Sequence, residues 1–377
     1  MTLDGIRRAT DPAHRHTGST TNDNHGEGRG PADQFAVASL VLLCPMRFAP
    51  IYQYRPWGGH QLADLLSTPL PTKSHVGEAW VLSDRPDHQS RVADGPLEGW
   101  TLCQLMEKFP EQLLGTLAPR FVRFPLLLKF LDAHDLLSVQ VHPSDRQANY
   151  LPAGETGKTE AWVVLEAGPE SLIYAGLQTG TTAESLQLDL TDKTVAGHLP
   201  CFTPKPGDAV FLPAGTVHAL GGDVVVFEIQ QNSDVTFRLY DWDHVDARTG
   251  KLRALQIDQA IACIDFAQGA LGPVVPVVEA TTPTARERLF ECEHFCLWRI
   301  HAKSPFTVGA IGAPRVLVCT DGAGQVEHDG GTYALARGDV MVLPAVVGTC
   351  VFRPSASVNL LEVALPQATL KQRSEEQ

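Results

Sequence analysis

Two segments of this 377-residue chain repeat one pattern of turn residues, apolar residues and proline. PGDAVFLPAGTVHAL (residues 206–220) and RGDVMVLPAVVGTCV (residues 337–351) align without gaps at an offset of 131 residues. In each segment a Gly-Asp turn precedes an apolar strand that ends at a proline. The alternative is a chance likeness between two β-turns, but the repeat favours two copies of one antiparallel β unit.

Short strands are predicted on both sides of this repeat, which favours closed or sandwiched antiparallel sheets over a parallel sheet with alternating helices. Apolar patterning predicts strands at 75–83, 124–133, 136–143, 160–167, 171–177, 209–213, 224–230 and 235–242, with 124–133 and 136–143 as neighbours. Helical spacing predicts a small insertion at about 100–118, capped by Thr101, and a connecting helix at 255–266. The predicted fold class is therefore all-β dominated.

Composition constrains the partners of the chain. It carries 30 Lys and Arg against 43 Asp and Glu, a formal charge of −13. Because such a field repels polyanions, we expect no nucleic-acid partner, and a phosphate site must depend on local positive charge. The eight cysteines include no CxxC pair and indicate reduced thiols in the cytoplasm. Cys292 and Cys296 flank His294, which permits either a soft metal site or an ordinary strand.

Changes in composition divide the chain into segments. Residues 1–45 are either a disordered extension or an over-long start before Met46, and the apolar run at 35–45 is too short to span a bilayer. For the remainder we expect a first barrel at 46–250, a helix and linker at 251–280, a degenerate second barrel at 281–366, and a disordered tail at 367–377. No membrane partner is expected.

Several predicted strands place polar side chains together on one face. Because strand side chains alternate between faces, Ser138, Gln140 and His142 point away from an apolar layer of Leu137, Val139 and Val141. The same alternation groups two further sets, Lys158 with Glu160 and Trp162, and Thr236 with Arg238 and Tyr240. Since burying a polar group without a partner costs a few kcal/mol, these faces indicate a ligand cavity.

His142, His218, Glu160 and Gln140 supply two imidazoles, a carboxylate and an amide oxygen, a suitable ligand set for a divalent metal with a position left open. The spacing Gly-x5-Pro-x-Gly-x2-His at 207–218 matches the second metal motif of the cupin barrel, and Gln140-x-His142 followed by Glu160 resembles the first. In the second copy Thr349 replaces the histidine, so we expect metal binding in the first copy alone.

Five motifs in order resemble mannose-6-phosphate isomerase of type I, in its short bacterial form: RPWGG (55–59), QVHP (140–143), GKTEAW (157–162), PAGTVHA (213–219) and NSDVTFRLYDW (232–242). The likeness covers residues 47–266 strongly and the C-terminal repeat weakly. It implies two cupin (jelly-roll) β-barrels and a cytoplasmic enzyme that interconverts mannose 6-phosphate and fructose 6-phosphate. The expected partner is a small phosphosugar, and we expect a monomer or weak oligomer.

The resemblance also implies roles for matching residues. One Zn²⁺ per chain would be bound by Gln140, His142, Glu160 and His218. Arg238 and Lys158 would be catalytic as a proton moves between C1 and C2 of the sugar through an enediol. Lys129 matches a lysine of the family's substrate pocket, and Ser138, on the polar face beside Gln140, is a further candidate for substrate binding. Lys129, Lys158 and Arg238 would supply the local positive charge that a phosphate needs.

Two other functions use the same residues. Two histidines and one carboxylate also form the facial triad of non-haem Fe(II) oxygenases. A non-catalytic sugar-phosphate-binding cupin is the third possibility. Gln140 and the cationic pocket argue against the oxygenase, and intact Glu160, His218 and Arg238 argue against a protein without turnover.

Overall fold

Antiparallel strands dominate the computed structural model, which describes residues 42–66, 70–71, 75–246 and 249–366. The all-β-dominated prediction is confirmed, and helices occur within the predicted insertion and the predicted connection. The expectations for residues 1–41 and 367–377 lie outside the described residues. Within those residues, no helix has the length and apolar character needed to cross a membrane.

Most of the elements lie before residue 264. In chain order the strands are β1 (Met46–Ala49), β2 (Ile51–Gly59), β3 (Val76–Leu82), β4 (Asp84–Arg85), β5 (His88–Gln89), β6 (Arg91–Val92), β7 (Leu126–Ala133), β8 (Val139–Val141), β9 (Glu160–Ala167), β10 (Leu172–Ala175), β11 (Cys201–Phe202), β12 (Ala209–Leu212), β13 (His218–Gly221), β14 (Val224–Gln231), β15 (Phe237–Tyr240), β16 (Val245–Asp246) and β17 (Lys251–Leu252). The helices are α1 (Leu62–Leu65), α2 (Leu102–Lys108), α3 (Pro110–Leu114), α4 (Ala183–Asp192) and α5 (Ile257–Cys263), with short 3-10 helices at Gly115–Arg120, Ala148–Tyr150 and Val195–His198.

The helical insertion begins at the predicted N-cap, Thr101. Thr101 accepts a hydrogen bond from the backbone N–H of Gln104, and the Gln104 side chain accepts one from the Thr101 N–H. This capping box satisfies two N–H groups that would otherwise lack a partner at the helix start. Leu102, Leu105 and Met106 form the buried side of α2.

Two sheets face each other across a common core. One has the strand order β12-β9-β14-β7-β2-β3, and the other has the order β11-β10-β13-β8-β15. Apolar side chains of both sheets pack together between them, including Leu131, Val164, Val210, Leu212, Val226, Ile173, Ala175 and Leu220. β7 and β8 therefore lie in different sheets, and the prediction that they are neighbours is wrong because the chain crosses between the sheets after Ala133.

Helices cover the outer face of the five-stranded sheet. Val139 and Val141 of β8 point outward and pack with Leu186 of α4 and with Ala260 of α5. Gln140, between the two valines, points inward as alternation requires. Leu137 does not share the valines' layer as predicted, because β8 begins only at Val139 and Leu137 packs in the inner core.

The remaining strands are β18 (Val277–Ala280), β19 (Ala285–Glu291), β20 (Cys296–Ala302), β21 (Phe306–Gly309), β22 (Arg315–His328), β23 (Gly331–Ala336), β24 (Val340–Leu343) and β25 (Thr349–Ala364), with a 3-10 helix at Ala345–Val347. They form a ten-stranded sheet with β1 and β6, in which Met46 lies opposite Val342. Strands β12 and β24 occupy equivalent positions of the repeat, and β25 begins at Thr349 where β13 begins at His218. The core of this part is apolar and includes Leu317, Val326, Leu335, Met341, Phe352 and Leu360.

Candidate active site

A cluster of possible metal ligands lies between the two facing sheets. Gln140 on β8 pairs directly with His218 on β13, and His142 follows the end of β8. Glu160 begins β9 of the opposite sheet, where it lies opposite Gln230 and Leu212. One ligand atom from each of His142, Glu160 and His218 lies within 4.8 Å of the others, and all three residues are buried.

A tight turn delivers His218 to this cluster. Gly215 in the PAGTVH turn has φ +91°, and a Cβ atom there would also lie 3.2 Å from the carbonyl oxygen of Cys263. The Gly215 N–H donates to the carbonyl of His142 at 2.9 Å. Because an L side chain is strained at this φ, the glycine lets the turn hold His142 and His218 side by side.

Backbone carbonyls fix the tautomers of both histidines. Nδ1 of His142 donates to the carbonyl of Val235 at 2.9 Å, and Nδ1 of His218 donates to that of Thr216 at 2.9 Å. The Nε2 lone pairs then face Glu160, at 3.3 Å from Oε2 and 3.2 Å from Oε1 respectively. Burial lowers the pKa of His142 to about 3 and also lowers the pKa of His218, so both rings are neutral at pH 7.

The Glu160 carboxylate lacks well-aligned hydrogen-bond donors although it is fully buried. Lys158 Nζ lies 2.8 Å from Oε2 as an ion pair, and 3.1 Å from Nε2 of His142. Burial alone would raise the pKa of Glu160, but the positive charge of Lys158 holds it well below its usual range. Two imidazole lone pairs therefore converge on an ionised carboxylate, and an arrangement of buried acceptors of this kind suits a divalent cation.

Gln140 can complete the donor set. Its amide Nε2 lies 3.2 Å from Nε2 of His218. Turning the amide over brings Oε1 to the same place, and the two orientations occupy equivalent space. The donor set would then consist of two nitrogen and two oxygen atoms, which suits a divalent metal ion.

A cavity of about 420 Å³ reaches this cluster at Gln140 and Lys158. Its lining also includes Lys129, Ser138 and Arg238, for which the sequence predicts catalytic or substrate-binding roles. Five cationic and four acidic side chains line it: Arg55, Lys129, Lys158, Arg238 and Arg253, with Glu78, Glu228, Asp234 and Asp246. The strongly negative chain thus presents a roughly balanced charge here, in a volume typical of small-molecule sites.

Buried ion pairs balance most of the cations in this cavity. Lys129 lies opposite Glu228 across β7 and β14, with Nζ 3.0 Å from Oε1. Burial alone would lower the pKa of Lys129, but Glu228 and Glu78 raise it above its usual value. The Arg55 guanidinium donates two hydrogen bonds of 3.0 Å to the Glu78 carboxylate. Burial alone would raise the pKa of Glu78, but the positive charges of Lys129 and Arg55 lower it to about 2.

Arg238 differs from these cations, because within the described residues it forms no ion pair with a carboxylate. Its Nε donates to Ser138 Oγ at 3.1 Å, and Nη1 donates to the carbonyl of Ala254 at 3.0 Å. Burial and the positive charge of Arg253 lower the pKa of Arg238, which nevertheless remains a cation. The donors that remain on its guanidinium are available to an anion in the cavity.

The prediction that Arg238 and Tyr240 share one face of β15 is wrong. Arg238 pairs with Gln140, but Tyr240 pairs with Val139, because a β-bulge at Leu239 inserts an extra residue into β15. Tyr240 therefore packs in the outer core with Val139 and Val141, and Arg238 points inward without it. A bulge changes the parity of a strand, so alternation cannot be carried across it.

Sequence reasoning missed several cavity residues. Arg55 lies in the RPWGG motif, to which the sequence assigns no role in the site, and Glu228 and Glu78 each interrupt an apolar strand. A lone carboxylate inside such a strand is a usable signal, because it requires a buried partner. The side chains of Cys292, His294 and Cys296 do not form a metal-ligand cluster. In the described ranges, the group at Glu160 is the one cluster of three His, Cys, Asp or Glu residues whose ligand atoms lie together.

Comparisons with known proteins agree with this geometry. Residues 46–159 match the family model for the catalytic domain of type I phosphomannose isomerase. The chain is 35% identical over 313 residues to mannose-6-phosphate isomerase ManA of Bacillus subtilis, which covers 81% of this chain and 94% of that protein. It is 33% identical to mannose-6-phosphate isomerase of Streptococcus mutans, over 77% of this chain and 89% of that one.

A solved structure shows the same fold. The crystal structure of mannose 6-phosphate isomerase from Bacillus subtilis superimposes with a TM-score of 0.78 at 28% sequence identity. The match covers 86% of this chain and all of the other. The likeness therefore extends over both the facing sheets and the C-terminal sheet.

Proposed function

This chain belongs to the type I phosphomannose isomerase family, and we propose that it is a zinc-dependent enzyme that interconverts mannose 6-phosphate and fructose 6-phosphate through an enediol. The observation that carries the proposal is the buried convergence of His142, Glu160 and His218 beside a cavity lined by Arg238, which pairs with no carboxylate of the described residues. The first feature suits a Lewis acid, and the second suits an anionic sugar.

The proposed zinc site consists of His142, Glu160 and His218, with the Gln140 amide as a fourth ligand. Support comes from the buried Glu160 oxygens, which lack an aligned hydrogen-bond donor, and from the two fixed Nε2 lone pairs. When bound, zinc supplies a Lewis acid that polarises substrate oxygens. The hydrogen bonds from both Nδ1 atoms to backbone carbonyls orient the rings for this role before any metal arrives.

Arg238 and Ser138 are proposed to bind the negative charge of the substrate. The Ser138 hydroxyl holds Nε of Arg238 at 3.1 Å, which fixes the guanidinium at the cavity wall. A permanent cation there stabilises either the phosphate or the negative charge that develops on the enediol. Lys129, whose charge Glu228 balances, is proposed to donate hydrogen bonds to the sugar rather than to neutralise phosphate.

Lys158 is proposed to carry the proton between C1 and C2. Its Nζ is buried at the boundary between the metal cluster and the cavity, at 2.8 Å from Glu160 and 3.1 Å from His142. With a metal held by Glu160 and His142, these acceptor atoms would no longer bind the amine of Lys158, which would then exchange protons with a sugar in the cavity.

The C-terminal part, residues 281–366, is proposed to be a degenerate cupin barrel with a packing role, and residues 46–250 the catalytic barrel. Support comes from its apolar interior and from Thr349 at the position equivalent to His218. Arg299 of β20 donates to the carbonyl of Gly207, and Arg337 pairs with Glu166 of β9. We also infer a cytoplasmic location, because all eight cysteines are unpaired thiols.

The test is a coupled assay for fructose 6-phosphate formed from mannose 6-phosphate, with and without a chelator. We expect turnover that the chelator abolishes and zinc restores. His218→Ala should lose both activity and bound zinc, whereas His301→Ala, which removes an exposed imidazole bonded to Asn359, should keep both. Turnover that survives the chelator, or in His218→Ala, contradicts the proposal. Iron-stimulated O₂ consumption without isomerase activity favours an oxygenase instead.

A further inference from the structure

A second cavity, of about 550 Å³, lies where the first part of the chain meets the C-terminal sheet. Its walls come from the segment after the insertion (residues 120–125), from the loop at residues 153–156, and from the β19–β20 turn at Glu293 and His294. None of the residues proposed above for catalysis lines it. We call it the junction cavity.

Two arginines give the junction cavity unused donors. Arg120 donates to the carbonyl of Pro366 at 3.2 Å, and Arg123 donates to the carbonyl of Asp84 at 3.3 Å. Within the described residues neither forms a direct ion pair with a carboxylate. The nearby Asp84 carboxylate already accepts hydrogen bonds from Gln89 and Phe124. Each guanidinium therefore keeps most of its five N–H donors for an oxyanion.

The acidic residues of the lining are already bonded. Glu155 holds both Nη atoms of Arg85, at 2.5 and 2.8 Å. Asp145 accepts from the Gly157 N–H at 2.7 Å and from the Gln231 amide at 3.0 Å. Glu293 is 3.4 Å from the ring of His294 and its side chain is 84% exposed, so it reaches solvent. Within the described residues, an anion in the cavity thus meets two arginines without a carboxylate partner, while the carboxylates of Asp145 and Glu293, which pair with no Lys or Arg there, are exposed to solvent.

Apolar surface lies beside these arginines. Val122 is 94% exposed, and the ring of Phe121 lies 5.3 Å from the guanidinium of Arg120. Pro86, Pro125 and Pro366 complete this wall. The half-buried Phe121 ring beside a guanidinium, together with the exposed Val122, offers a suitable surface for a flat apolar group. The combination fits a small organic phosphate with a flat apolar body.

Hydrogen bonds connect the junction cavity to the proposed active site. Asp145 binds the N–H of Gly157, the residue before Lys158, and Gln231 accepts from the N–H of Thr159, the residue after it, at 2.8 Å. Ser233 donates to the carbonyl of Thr156 at 2.8 Å. The loop that lines the junction cavity is therefore continuous with the backbone that positions Lys158.

We infer that the junction cavity is a second binding site, for a small organic phosphate with a flat apolar body, and that a ligand there restrains the loop at residues 153–159. The probe is phenyl phosphate, titrated into the zinc-loaded full chain by calorimetry. Replacing Arg120 and Arg123 together by Ala should weaken its binding at least tenfold. Arg91→Ala is the matched control, because Arg91 is an exposed arginine bonded to Gly99 outside this cavity. Phenol and inorganic phosphate should each bind more weakly than phenyl phosphate.

Hydrogen exchange supplies a second readout that does not depend on turnover. Phenyl phosphate should slow exchange at residues 153–159 in the wild type and leave it unchanged in the double variant. Arg238→Ala, in the substrate cavity, should keep both effects. The inference is overturned if phenyl phosphate does not bind, if the double variant binds it as the wild type does, or if binding depends on Arg238 instead. It is also overturned if binding leaves exchange at 153–159 unchanged.

Discussion

Lys158 shares its two acceptor atoms with the proposed zinc, so its removal should tighten zinc binding while it impairs catalysis. Its ammonium is 2.8 Å from Oε2 of Glu160 and 3.1 Å from Nε2 of His142. Zinc held by these residues would compete with the ammonium for both atoms. Lys158→Met keeps the apolar stem of the side chain and removes the charge that competes.

The magnitude follows from the burial of the ion pair. At 2.8 Å and an effective dielectric constant of about 20, the attraction is about 6 kcal/mol before desolvation is subtracted. Removing one partner of such a buried pair costs about 3 to 5 kcal/mol, because the other charge is left without compensation. This stability is lost in the protein without zinc, because bound zinc would supply the missing positive charge to Glu160. By thermodynamic linkage, a loss of about 3 kcal/mol in the metal-free form means zinc binding tighter by roughly 100-fold.

The assay combines three measurements on Lys158→Met. Denaturant unfolding of the metal-free protein should show a lower free energy of unfolding, while the zinc-loaded protein changes little. Competition with a chromophoric chelator should show the tighter zinc binding, and kcat should fall by about 10² to 10⁴, as for the loss of a general acid–base group. Lys129→Met is the matched control: its partner Glu228 is not a proposed ligand, so both forms should lose stability equally. Unchanged or weaker zinc binding in Lys158→Met refutes the reasoning.

Three further predictions concern other groups. The folded-state pKa of Glu78 is about 2, below its ordinary 4.5, so its stabilising effect is complete above about pH 4.5 and is lost as the pH falls toward 2. The wild type should therefore lose about 2 kcal/mol more unfolding free energy between about pH 5 and pH 3 than Glu78→Gln does. Replacing the exposed Glu98 by Gln should leave this loss unchanged. Arg238→Lys keeps the charge but loses the planar fork held by Ser138, and kcat/KM should fall by about 10²-fold in the coupled assay, with an unchanged kcat/KM as the contrary result. Thr349→His should leave the zinc content at one per chain by metal analysis, because it adds a single exposed imidazole, and Glu362, the buried carboxylate that accepts from the Gly309 N–H opposite Thr349, is already paired with Arg286; a second equivalent of zinc would contradict this.

Local chemistry was predictable from the sequence. Strand β9 has the predicted bounds, 160–167, because its apolar run is bounded by polar and turn residues. Thr101 caps its helix as predicted. The convergence of His142, Glu160 and His218 also follows from motif spacing and strand alternation, and the structure places their ligand atoms together.

Long-range pairing was not predictable. The sequence marks Lys129 as a cation near the substrate, but only the register of β7 against β14 shows that Glu228 lies opposite it. The bulge at Leu239 has no signal in the residues around it, and it moves Tyr240 to the outer core. Both outcomes depend on partners about 100 residues away in the chain, which alternation within one strand cannot identify.

The two copies of the repeat show why the metal site occurs once. Strands β12 and β24 begin and end at equivalent residues, so the backbone alone would permit a site in either copy. The first copy can bury Glu160 because Lys158 compensates its charge and two backbone carbonyls hold the neutral histidines. The second copy has a largely apolar core and has Thr349 in place of His218, and its buried carboxylate Glu362 is bound by Arg286 and by the N–H of Gly309. A functional second site therefore requires several coupled substitutions, each of which is destabilising alone, whereas an apolar core stabilises the fold without them.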